Sequence, residues 1–418
     1  MELGTSKLII SPSIPLRLCG YGNRSENFSE ITEDIFLRIH YWKSDKNRVI
    51  LVYADLLWWN PEFVYSIRKT LFQNLGIPEE HIIFIASHNH SGPGTGNTFT
   101  PLLETSIPEY TDFLSRKVTE GIIKAEEDLE EVCIKRYNGT CKMNVYRRVQ
   151  TDTGIQMQPN YTVPADSNLT IFGYYKKSNG SPKGFAVHYP CHANLSNGNT
   201  VHPDYTGVVL RMFDEKYSNC VSIFLQGCTA DLRPNSVLGE HFISCEFSNV
   251  VTFAERFFCC CEKTLKTEAF PVENGISVHK KTIKLPLVQK LSKEEVKQLI
   301  INGKDIVTRQ WAQKAVEKNY RNYEILEITR VDFGSVPLFF FNAEMSQYYA
   351  ELMRKKNPHA VCVAYANGMI GYVCTEKQIK EGGYEPCGSA PFFALCGTYK
   401  PDIEKTVIAA LENLYSQP

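Results

Sequence analysis

Residues 49–96 constrain the fold more than any other stretch. Val49–Ala54 is an apolar, β-rich run. Asn60-Pro61 then supplies a helix N-cap and a first-turn proline, Phe63, Val64, Ile67, Leu71 and Leu75 recur at helical spacing, and Gly76 stops the helix. His81–Ala86 (HIIFIA) reads as a second strand. Strand, helix and strand within about 35 residues form a βαβ unit, whose two strands run parallel. The loop Ser87–Gly96 (SHNHSGPGTG) therefore leaves the carboxyl end of a parallel strand. Open α/β sheets place their ligand sites there.

The rest of the chain extends this pattern. Pro108–Leu129 reads as an amphipathic helix with Phe113, Leu114, Val118, Ile122 and Ala125 inside. Leu169–Tyr175 and Gly184–Tyr189 read as strands joined by a hairpin turn at Asn179-Gly180. Cys220–Leu225 is a buried strand and Val250–Leu265 a helix. From Val278 to Arg330 Lys and Glu dominate, with a capping box starting at Ser292, so a helical surface excursion over about 280–330 is expected. Val336–Phe341 returns to the core as a strand, and Pro401–Tyr415 is a closing helix. The expected fold class is α/β, with a mixed, largely parallel β-sheet core flanked by helices. Residues 1–418 are expected to form a single domain.

Composition narrows the function. Hydrophobic residues make up 43% of the 418 and charged residues 22%, the balance of a globular chain with material for a core. Lys and Arg total 45 against 46 Asp and Glu. That near-zero balance argues against nucleic acid or an anionic membrane as the partner. Met1–Gly20 carries Glu2 and only a short apolar run, so no export signal is read there. No apolar run is long enough for a transmembrane segment. The 14 Cys include no C-x-x-C pair. Reduced thiols and a cytoplasmic location are the expectation.

Five segments gather chemistry just past apolar strands. His88-Asn89-His90 heads a Gly-Pro-Gly loop, and an H-x-H pair can ligate a metal with one ring and hold the other beside it. His188-Tyr189-Pro190-Cys191-His192 follows another strand, and either histidine can serve as a ligand. Thr229-Ala230-Asp231-Leu232-Arg233 brings a carboxylate and a guanidinium to a turn. Glu344 directly follows Phe339-Phe340-Phe341, where a carboxylate is costly unless paired, capping a helix or bound to metal. Gly371-Tyr372 is followed by Tyr384-Glu385. Asp55, Asp204 and Asp231 are candidates for orienting the histidines. The metal site is thus expected at the carboxyl ends of strands.

In this order the segments resemble the N-terminal catalytic domain of the neutral/alkaline (non-lysosomal) ceramidase family and its shorter bacterial relatives. That family reads T-H-T-H-S-G-P-G, N-R, a second histidine, G-D-x-S-P-N, P-G-E, G-Y-x-T-T and Y-E. Here the series is SHNHSGPG, YRR, HYPCHAN, TADLRPN, NAEMS, GYVCT and GYEP, between about Ile10 and Tyr384. The resemblance implies Zn²⁺ on His88, His192, Glu344 and Tyr372. His192 is preferred to His188 for its spacing to Asp204, although Phe185-Ala186-Val187-His188 also looks like the family's segment. It further implies His90 as acid/base, with Arg147 and Tyr384 as active-site donors.

Two departures bear on the substrate. The family's serine in G-D-x-S-P-N is Arg233 here, and a guanidinium is no nucleophile. The chain also ends soon after Tyr384, where the family's ceramidases continue into a C-terminal β domain. The resemblance implies a zinc-dependent amidohydrolase of lipid metabolism that cleaves an N-acyl bond by metal-activated water. Arg233 shifts the expected substrate from ceramide towards a small polar or anionic N-acyl compound, by bidentate pairing at the site mouth. A zinc esterase or lactonase, and a non-catalytic metal-binding module of the same fold, are the alternatives.

Overall fold

The computed structural model describes residues 1–45 and 47–417. A nine-stranded sheet forms the first layer, in the spatial order Ile223–Gln226, Pro182–Tyr189, Asn168–Lys176, Glu130–Thr140, Glu2–Ile9, Phe36–Ser44, Asn47–Ala54 and Ile82–Ala86, with Phe270–Val272 added on Glu130–Thr140. A five-stranded sheet forms the second, in the order Val361–Val363, Val336–Phe341, Tyr323–Phe333, Ile276–Gln289 and Gly397–Tyr399.

Most neighbours in both sheets are antiparallel, which corrects the expectation of a largely parallel core. Parallel pairing in the large sheet is confined to its two ends, Asn47–Ala54 with Ile82–Ala86 and Pro182–Tyr189 with Ile223–Gln226. The second sheet has one such pair, Val336–Phe341 with Val361–Val363. Tight connections explain part of this, because a short link between neighbouring strands reverses direction. Ser44 pairs with Asn47 across one such link, and Gly180, at φ 73°, turns Asn168–Lys176 back as Pro182–Tyr189. Glu2–Ile9 with Phe36–Ser44 and Ile276–Gln289 with Tyr323–Phe333, by contrast, pair antiparallel across long connections.

Burial on both faces accounts for the near-continuous apolar runs. Ile82, Phe84 and Ala86 point into one core and Ile83 and Ile85 into another. Phe339 and Phe341 likewise part from Leu338 and Phe340. Helices cover the outer faces. Pro61–Leu75 starts at Asn60, whose side chain accepts from Glu62 N, and ends at Gly76 with φ 60°. Pro108–Glu127, Phe247–Thr264 and Ile403–Tyr415 lie where their apolar periodicity places them.

The Lys-rich excursion is only partly helical. Lys293–Asn302 and Ile306–Glu317 are helices, the first with the expected Ser292–Glu295 capping box. Flanking them, Ile276–Gln289 and Tyr323–Phe333 are long strands paired with each other from Ile276–Phe333 to Pro286–Tyr323. Lys280, Lys281 and Lys284 therefore stand on a strand, and Lys280 pairs with Glu327 across it at 2.7 Å. Among the described residues no helix is long and apolar enough to cross a membrane.

The two end strands of the large sheet approach each other. Gln226 donates through Nε2 to Ser87 O and to Cys191 O, both at 2.9 Å. One side chain thus joins the loops that leave three strands.

Candidate metal centre

Those loops carry the histidines. His88 lies two residues past Ala86, and its φ of 61° is a conformation few non-glycine residues adopt. Asn89 holds this turn, donating to Asp55 O at 3.1 Å and His202 O at 2.8 Å and accepting from Ser91 N at 2.8 Å. His90 N bonds Ala193 O at 3.1 Å, which ties the first histidine loop to the second. Gly20 packs against the His90 ring so closely that a Cβ there would sit 2.4 Å from Nδ1, so this position requires glycine.

Glu344 and Tyr372 arrive together on a separate two-stranded sheet. Glu344–Met345 and Tyr372–Val373 form a short parallel pair with Glu344 opposite Tyr372. Arg147 comes from a small three-stranded sheet in which Asn144–Thr151 pairs with Leu232–Pro234.

The side chains converge in a buried cluster. Nitrogens of His88, His90 and His192 all lie within 4.8 Å of one another, an arrangement able to hold a metal ion. Glu344 Oε2 is 3.5 Å from both His88 Nε2 and His192 Nε2, and His90 Nε2 is 3.2 Å from His88 Nε2. Donors about 2.1 Å from a tetrahedral ion lie roughly 3.4 Å from one another, so these separations fit a shared cation. His88 Nδ1 donates to Leu57 O at 3.1 Å, which leaves the Nε2 lone pair facing the cluster. The Nδ1 atoms of His90 and His192 are buried without a partner.

Electrostatics suit metal ligation. Burial pushes His88 down to about 3, and burial together with nearby positive charge holds His90 and His192 well below the ordinary histidine value, so all three rings are neutral at pH 7. Burial raises Glu344 to about 7 against the pull of Arg147. Burial opposes the Arg147 charge, but Tyr372, Glu385 and Glu344 outweigh it and set its pKa well above the usual value. Arg147 donates to Glu385 at 2.8 Å, to Tyr372 OH at 3.2 Å and approaches His192 Nε2 at 3.4 Å.

No protein-family model and no curated protein matches the sequence. Solved structures do match. The neutral ceramidase from Pseudomonas aeruginosa superimposes with a TM-score of 0.78 at 16% identity, over 99% of this chain and 73% of that one. A ceramidase complexed with C2 gives 0.75 at 15% identity, over 99% and 75%. The fold is that of neutral ceramidase.

Within this ceramidase fold most of the singled-out residues meet. His88, His90, His192, Glu344, Tyr372 and Arg147 share one buried place. Tyr384 opens a five-residue π-helical turn at the edge, 37% exposed, with its ring 5.8 Å from that of Tyr372. Arg233 is half-buried, and its charge is felt at His90 and His192. His188 is elsewhere, its Nε2 on Cys362 O at 3.0 Å.

The three aspartates do not act as expected, since none bonds a ring of the cluster. Asp55 accepts from Tyr53 OH and Phe36 N, Asp204 from Leu195 N and Tyr205 N, and Asp231 from Ser346, Gln347 and Gln378. Each caps backbone or fixes a neighbouring loop instead.

Two further residues take part in the site, Tyr365 and Glu385. Tyr365, at φ 57°, stacks on His88 at 4.0 Å and donates to Glu344 Oε2 at 3.2 Å, with Thr229 Oγ1 2.5 Å from its hydroxyl. It stands two residues past the strand Val361–Val363, the same position relative to a strand as His88. Glu385 binds both Arg147 and Arg148.

Proposed function

We propose that the chain is a zinc-dependent amidohydrolase that cleaves an N-acyl carbon–nitrogen bond outside peptides. One observation carries this reading: three neutral imidazoles and a buried carboxylate converge at ligand spacing on the ceramidase fold. His88, His192, Glu344 and Tyr372 would hold the ion. Imidazole nitrogens, a carboxylate and a phenol make the donor set that suits zinc. Zinc bound there supplies a water that ionises near pH 7 and polarises the acyl carbonyl.

The surrounding side chains supply the remaining work. Arg147, fixed by Glu385, holds the Tyr372 hydroxyl and keeps positive charge where an oxyanion develops. Tyr384 reaches the acyl oxygen from the open side with its hydroxyl. The His90 ring, neutral at rest, carries a proton from water to the departing amine.

A second ligand set is favoured by the proximity of His90 to His88 and His192. There His90 binds the ion, and Tyr372 is a hydrogen-bond donor only. Elemental mass spectrometry on His90→Ala beside Tyr372→Phe separates the two, because only the true ligand costs zinc.

The main test is zinc content and turnover together, wild type beside His192→Ala. One equivalent of zinc, lost in the variant, with N-acyl hydrolysis abolished by chelator, is the expected result. Hydrolysis that survives loss of the metal would overturn the mechanism. Zinc-dependent turnover of esters or lactones alone would move the assignment to an esterase. A zinc-loaded protein that hydrolyses neither would be a binding module.

A further inference from the structure

Arg233 differs from every other arginine around the centre. Arg147 and Arg148 share Glu385, and Arg24 spends its guanidinium on the carbonyls of Cys19, His90 and Gly198. Among the described residues no carboxylate stands within ion-pair reach of Arg233, and its Nε is buried without a hydrogen-bond partner. Its contacts are apolar or soft. The guanidinium lies over the Phe242 ring at 4.6 Å and touches Met157 Sδ at 3.8 Å.

Phe242 belongs to a small hairpin, Val237–Leu238 with His241–Phe242, and Met157 to the strand Gly154–Asn160. These two elements fix the plane of the guanidinium and engage one of its donors, Nη1, in a weak bond to sulfur. The strand Leu232–Pro234 pairs with the segment preceding Arg147, placing Arg233 beside the histidine cluster. Its charge is felt at Tyr21, His90 and His192. A half-buried cation held by a ring and a sulfur, with no carboxylate among the described residues to answer its charge, is a site built for an anion.

We propose that Arg233 is the specificity residue of this site and binds an anionic oxygen group, a carboxylate or a phosphate monoester, on the N-acyl substrate, with Phe242 and Met157 as its positioning residues. The proposal rests on the amidohydrolase reading. It adds the substrate class, an N-acyl compound with its negative charge close to the scissile amide. Bidentate pairing draws the charged end to the rim while the acyl carbonyl meets the cluster.

Two matched pairs test it on the zinc-loaded full chain: N-octanoylglycine against N-octanoylglycinamide, and N-octanoyl-phosphoethanolamine against N-octanoylethanolamine. Wild type is expected to favour the anionic member of one pair by about ten- to a hundredfold in kcat/KM, mostly through KM. Arg233→Gln brings that ratio close to one, and Arg233→Lys restores part of it. The pair that responds identifies the anion. Equal ratios in wild type and Arg233→Gln for both pairs overturn the proposal. Calorimetric binding of the same compounds keeps the two readings distinguishable. If nothing is hydrolysed, affinity for an anionic compound lost in Arg233→Gln sustains the subsite while the hydrolase reading fails, and unchanged or absent affinity refutes it.

Discussion

Arg147 and Arg233 approach the histidine cluster from neighbouring strands of one small sheet, yet they meet opposite surroundings. Arg147 is buried and donates to Glu385, Tyr372 and His192. Arg233 is half-buried, has no acidic partner among the described residues and rests on Phe242 and Met157. The floor of the site is a closed polar network in which charges answer one another. The rim holds a charge whose partner is to come from outside. A buried network of this kind fixes geometry, and removing one member leaves another uncompensated. The rim arginine is already uncompensated, so its loss touches recognition far more than folding.

The sharpest way to break this contrast is to remove the carboxylate that the floor arginines share. Glu385→Ala leaves the buried Arg147 without its carboxylate partner and Arg148 with only Glu381 at 3.3 Å, and the expected loss of stability is about 3–5 kcal/mol. Arg233→Gln in the same denaturant series is expected to move stability by no more than about 1 kcal/mol. Similar losses in the two variants would mean that Arg233 has a structural role and that floor and rim do not differ in kind.

A smaller effect sharpens the description of the floor. Tyr365→Phe removes the hydroxyl that donates to Glu344 and meets Thr229, while the ring keeps its stack on His88. Groups that orient ligands in this way are typically worth about 10–100-fold in metal affinity. Competition with a zinc chelator should show a loss of that order, with stability of the metal-free protein little changed. An unaltered affinity would remove Tyr365 from the centre's supporting shell.

How far the sequence discloses this arrangement depends on whether a signal is local. Strand ends are local, so the segments that carry His88, His192, Glu344 and Tyr372 stand out past apolar runs, although the choice of these four rests on the family resemblance. Caps are local too, and Asn60, Gly76, Ser292 and Asn179-Gly180 act as read. Strand direction is not local. One βαβ unit does not set the direction of the whole sheet, and parallel pairing in the two large sheets is limited to the places where the histidine loops and the Val361–Val363 neighbour emerge.

The Lys-rich strand Ile276–Gln289 was hidden by its composition. Its exposed positions include Lys280, paired with Glu327, and Lys284, over the Tyr323 ring, and this charge-rich alternation passes for a solvated helix. Glu2–Ile9 fails for a related reason, having only one short apolar run although it pairs throughout with Phe36–Lys43. Tyr365 had a readable position but an unremarkable residue type. Only its left-handed backbone and its stack on His88 set it apart, and neither leaves a trace in sequence.

The choice between His188 and His192 offers the finest test, because the two lie four residues apart and only one reaches the floor. His188 belongs to the strand Pro182–Tyr189, where burial lowers it to about 4 against a weaker raising effect from Cys362 O. The folded chain therefore binds its proton less readily than the unfolded chain, whose histidine titrates near 6.5. Its contribution to stability is intact above about pH 6.5 and is lost as pH falls towards 4. One such group steepens the fall by up to about 1.4 kcal/mol per pH unit in that window. In His188→Gln the amide still donates to Cys362 O, so zinc content at pH 7 should equal that of wild type. The stability-against-pH curve between 6 and 5 should flatten by up to one proton. Zinc lost from this variant would hand the second imidazole ligand to His188 and dissolve the floor as described, whereas a flattened slope with full zinc leaves His192 as the ring that faces Glu344.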